Sequence, residues 1–162
     1  MFDMSKMFYY MGCTRFLTWG SLMGFQEKMA WAMVVVLIVT GVTYFSTVFQ
    51  ASAALGAVAP PDLPLMFGYA VFLVVLTIVA AVIISVSRPS EAGEGPDERD
   101  KLIQYKGEAQ SGRLMGALMI GALLGVGMSG DANLLFHFVF ANLIIAQIAQ
   151  FGFQILYYRR GA

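Results

Sequence analysis

The groups best able to do chemistry in this chain lie near its C-terminus: Asn133, His137, Gln147, Gln150 and Gln154. Set on a helix with Asn133 at zero, His137 falls at about 40°, Gln147 at about −40°, Gln154 at about −60° and Gln150 at about −100°. They share one side, and Asn142 alone falls opposite. The stretch around them is otherwise apolar, so these groups must find partners inside a bundle or in a neighbouring protein. Two uses are open. One is interhelical hydrogen bonding, at about 0.6 kcal/mol per bond in membrane bundles. The other is a hydrated path or small-ligand site. His137 is the single histidine. A proton relay through it needs a titratable partner at similar depth, and the nearest in sequence is Asp131, which sits in Gly130-Asp131-Ala132-Asn133 and reads as an N-cap.

Other signatures are missing. There is no second histidine for bis-His haem, and no His/Cys/carboxylate set with metal-ligand spacing, so no cofactor or metal is expected. One cysteine, Cys13, excludes an intrachain disulfide. P-loop, G-x-S-x-G and H-E-x-x-H patterns are absent, as is an intramembrane carboxylate pair, so no catalytic residue is assigned. Basic residues form no face wide enough for nucleic acid.

What must position the polar side is a set of membrane helices. The chain has 162 residues, 59% hydrophobic and 12% charged, against about 25% charged in a soluble chain. A soluble core that small could not cover so much apolar surface, which makes the lipid bilayer the expected solvent. Four spans are expected, at about 29–53, 64–87, 112–129 and 132–158. The fold class is all-α: a four-transmembrane-helix, up-down antiparallel bundle. Trp31 is an interfacial anchor of the first span. Pro60, Pro61 and Pro64 force a turn around Asp62, the N-cap of the second. The third is shortest and requires Arg113 to snorkel to the headgroups. Tyr157, Tyr158, Arg159 and Arg160 end the fourth as an interfacial stop.

Charge sets the orientation. Lys6, Arg15 and Lys28 precede the first span. Arg88, Arg99, Lys101, Lys106 and Arg113 follow the second, and Arg159 and Arg160 follow the fourth. The other two connections hold only Asp62 and Asp131. Both termini and the central loop, 88–111, are therefore placed in the cytoplasm. Residues 1–22 carry aromatic and methionine side chains broken by polar ones. They are not a convincing signal peptide, and read as an interfacial segment or as a translational extension before Met23.

Two further constellations stand out. Gly112, Gly116, Ala117, Gly121 and Gly125 place small residues at near four-residue intervals. That is a close-packing signal, within the bundle or at a homo-oligomer seam. Thr40, Thr43, Tyr44, Thr47 and Gln50 share a face of the first span that could meet the glutamines of the fourth. In the loop, Ser87 to Gly95 is a linker. Asp97, Glu98, Arg99 and Asp100 then open a helix whose acids suit the positive end of its dipole. Asp97 and Lys101 are spaced for an i,i+4 pair. This helix is expected to run into the third span, with Gly112 a candidate break. The same acidic cluster is a candidate docking point for a basic cytoplasmic protein.

At Asp97-Glu98-Arg99-Asp100-Lys101-Leu102-Ile103, and again at Tyr157-Tyr158-Arg159-Arg160-Gly161, the chain resembles an uncharacterised family of small bacterial four-span membrane proteins with a D-E-R-D/E cluster before the third span. The resemblance covers about Met23 to Gly161. It implies a multi-pass protein of the bacterial inner membrane and carries over no functional residue. Function is expected to be that of a non-catalytic accessory or regulatory bundle protein, within a homo-oligomer or larger membrane complex. The alternative is a small oligomeric transporter or channel using the polar side of the fourth span.

Overall fold

The computed structural model describes residues 24–87 and 95–160. The segment 1–22 with Cys13, the linker residues 88–94 with Arg88, and Gly161 lie outside the described residues. Four long helices make up the fold: α1 (Phe25–Leu55), α2 (Leu63–Ser87), α3 (Glu98–Ser129) and α4 (Ala132–Arg160). No strand occurs among the described residues. All four helices are long and apolar enough to cross a membrane.

The ends form as local chemistry dictates. Gly56 closes α1 and Gly130 closes α3, both at positive φ (65° and 70°), where a side chain would be strained. Asp62 precedes α2 and accepts the Leu65 N–H at 3.4 Å. Asp131 precedes α4 and accepts the Asn133 N–H at 2.9 Å. Asp97 and Asp100 form a reciprocal capping box at the start of α3. From there α3 continues without interruption to Ser129. Gly112 is therefore no break, and the helix expected from the acidic cluster runs on into the third apolar run. An isolated glycine inside a long helix costs only about 1 kcal/mol, too little to stop it.

Packing is uneven. α4 lies between α3 and α1, and α2 packs against α1. Along α3 and α4 the contacts pair Asp100 with Tyr158, Gly107 with Gln154, Leu118 with Asn142 and Gly125 with Phe138. Rising α3 numbers meet falling α4 numbers, so this pair runs in opposite directions. Glu27 with Arg159, Gly41 with Ile144 and Tyr44 with Phe140 give α1 and α4 the same relation. The end holding Phe25, Glu98 and Arg160 is called the terminal end below, and that holding Gly56 and Gly130 the hairpin end. No residue of α2 is buried.

Candidate functional site

At the hairpin end, His137 is buried on α4, and its Nε2 lies 2.9 Å from the Ala59 carbonyl oxygen. A carbonyl only accepts, so Nε2 carries the hydrogen in this bond. The Ala59 N–H in turn donates to Ser52 Oγ at 3.0 Å. The connection between α1 and α2 is thus tied to both α1 and α4. Around it, Tyr44, Tyr69, Phe136 and Phe140 form an aromatic cluster at centroid distances of 4.5 to 6.5 Å. Tyr44 Oη and His137 Nδ1 are buried with no hydrogen-bond partner among the described residues. On the threonine face of α1 the hydroxyls are taken up locally. Thr40, Thr43 and Thr47 bond to carbonyls of their own helix, at Val36, Thr40 and Thr43.

Midway, Asn142 is buried and donates through Nδ2 to the Leu118 carbonyl at 3.0 Å, joining α4 to α3. Gln147, on the side read as polar, is exposed. α4 has neighbours on two sides: Asn142, opposite the others by helical angle, faces α3, and His137 faces the α1–α2 connection. Asn133 and Gln150 are half-buried, and Gln154 is buried.

Gln154 marks a close helix crossing at a glycine that sequence reasoning missed. A Cβ on Gly107 of α3 would sit 2.8 Å from Gln154 Cγ and 3.1 Å from the Gln150 carbonyl oxygen. Gly107 is five residues before Gly112, outside the four-residue rhythm that drew attention to the later glycines. Those pack differently from the reading within the bundle. A Cβ at Gly112, Gly116 or Gly121 would meet nothing within 4 Å, and Ala117 is exposed. Gly125 alone has a neighbour, Phe138 Cε2, at an ordinary 3.7 Å.

The terminal end is held by polar contacts. Tyr158 Oη donates to Asp100 Oδ1 at 2.7 Å. Lys106 Nζ stands 5.7 Å from the Tyr157 ring centre, and the Arg159 guanidinium 5.5 Å from that of Trp31. Arg159 Nε reaches the buried Glu27 carboxylate at 3.5 Å. Glu27 was not singled out from sequence, and its only signal was being the last acid before the first apolar run. Lys101 pairs with Glu98 at 2.8 Å rather than with Asp97, whose carboxylate is engaged as the cap. Asp97, Glu98 and Arg99 are exposed, whereas Asp100 is partly covered by Tyr158.

A groove of about 910 Å³ lies between α1 and α4, lined almost wholly by apolar side chains such as Ile38, Val42, Phe49 and Ile145. Of the six Asn, His and Gln side chains of α4, it includes His137 alone. Among the described residues no three His, Cys, Asp or Glu side chains could hold a metal ion together. No protein family matches the chain, and no curated protein or solved structure does so.

Proposed function

We propose that this is a multi-pass protein of the bacterial inner membrane that works as a non-catalytic accessory or regulatory subunit through its helix faces. One observation carries the proposal: three of the polar groups of α4 sit at contacts with other segments of the chain. His137 holds the Ala59 carbonyl, Asn142 holds the Leu118 carbonyl, and Gln154 fills the crossing at Gly107. Transport needs such groups along one wetted path. Here Gln147 is exposed and the groove beside His137 is apolar, which favours the packing role.

In this proposal the helices form an up-down bundle, and the terminal end, with its cations, faces the cytoplasm. The likeness to small four-span proteins with a D-E-R-D cluster belongs to the same proposal. α2 is the face for a partner helix, since none of its residues is buried. A photo-crosslinking residue in place of Val75, 49% exposed on α2, tests this in native membranes. The expected result is one discrete heavier adduct, at twice the mass for a second copy or at another fixed mass for a different protein. Lipid adducts alone, with lone protomers recovered, contradict it.

A further inference from the structure

The charge-free part of α3 is too short for the membrane the other helices fit. From Leu114 to Ser129 it spans about 24 Å at 1.5 Å per residue, against a hydrocarbon core of about 30 Å. The corresponding run of α4, from Ala132 to Tyr158, is about 40 Å long. Arg113 must therefore lie below the headgroup level on the terminal side, on an exposed position of α3. Its side chain leans toward the start of the helix, as helical side chains do, and Nη1 comes within 3.5 Å of Gln110 Oε1, one turn nearer that end.

Lys106 precedes Arg113 by seven residues, which places the two on one face within about 20°. Its ammonium is drawn toward the Tyr157 ring at 5.7 Å. The two cations thus lie on one face of α3, about 10 Å apart along its axis, on the headgroup side of its apolar run. Among the described residues neither has a carboxylate within ion-pair distance. The nearest acid on α3, Glu108, points about 140° or more away from both. Between Arg113 and the apolar residues beyond it the helix surface is bare, because a Cβ at Gly116, about 60° round from Arg113, would meet nothing within 4 Å. One turn beyond Gly116, Ile120 is 62% exposed, and Leu124 beyond it 67%.

We propose that Lys106 and Arg113 bind the phosphate of an anionic phospholipid in the leaflet at the terminal end. The lipid's glycerol lies against the glycine surface, and an acyl chain passes over Ile120 and Leu124. Two cations against one phosphate select an anionic lipid, since the choline of a zwitterionic one adds a third positive charge. The site rests on the membrane reading above and adds its ligand class. It also gives the exposed glycines a role, leaving room beside the cations, that does not require a second protein.

Native mass spectrometry of the full chain in detergent, with equal amounts of phosphatidylglycerol and phosphatidylcholine, tests the site. The wild type should retain phosphatidylglycerol preferentially, and Lys106→Gln and Arg113→Gln should each lower that preference by about fivefold, as one interfacial cation is worth about 1 kcal/mol. Gly116→Leu, which keeps both charges and covers the bare surface, should lower it as well. Equal retention of the two lipids, or a preference unchanged in the Lys106→Gln/Arg113→Gln double variant, overturns the site. So does displacement of the lipid by inorganic phosphate at constant ionic strength, which would assign the cations to a free anion. The ratio is read in micelles and is independent of orientation in the cell, so its failure is distinct from a failure of the topology.

Discussion

α2 and α4 differ in a direction opposite to that expected of a soluble protein. α2 is the more apolar, with a mean hydropathy of 2.9 over its best window against 1.8 for α4. Yet no residue of α2 is buried, while α4 buries His137, Asn142, Ile144, Ala146, Gln154 and Ile155. Half of those are polar. In water the apolar helix would be driven inward. In lipid the solvent is as apolar as leucine, and association comes from close backbone approach and interhelical hydrogen bonds. α4 has both, at Gly107 of its neighbour and at Asn142. α2 has one hydroxyl within its middle, Thr77, and that bonds to its own Leu73 carbonyl. Between these two helices the more polar one is the more buried, and α2 is left for lipid or a partner.

The contrast can be broken most severely at Gly107. Replacement by isoleucine forces a side chain into Gln154 Cγ and the Gln150 carbonyl, and overpacking of this kind costs about 1–3 kcal/mol. Unfolding in a denaturing detergent titration should show that loss. Gly116→Ile, where a Cβ meets nothing within 4 Å, should leave the protomer within about 0.5 kcal/mol of wild type. Equal effects at the two sites would mean that α3 does not meet α4 along the face described. A smaller effect is expected from Asn142→Leu, which removes the bond to Leu118 and should cost about 0.6 kcal/mol in the same titration. The smallest belongs to α2. Val75→Ala should change protomer stability by less than about 0.5 kcal/mol, and a loss of 2 kcal/mol or more there would show α2 to be packed in the isolated chain.

Much of the fold was legible because local rules govern it. Charge-free runs mark the four helices, and Asp62, Asp97 and Asp131 sit where their side chains accept N–H groups of the first turn. The helix from the acidic cluster does run into the third span. Less of the site was legible. A helical angle fixes where a side chain lies on its own helix but not how many neighbours that helix has. α4 has two, so Asn142, read as the odd residue out, is bonded, and Gln147 is exposed. Glycine spacing likewise shows where a backbone could approach, but not whether a helix is there. Gly107 is in contact, and Gly112, Gly116 and Gly121 are open. The Glu27–Arg159 pair joins residues far apart in the chain, and no local pattern announces it.

The partner face on α2 and the lipid site on α3 both assume a chain that crosses the membrane four times. Reporter fusions at Gly56 and Gly130, which close α1 and α3, test this directly. The predicted result is an extracytoplasmic signal from both positions. A cytoplasmic signal from either would contradict the four-span account.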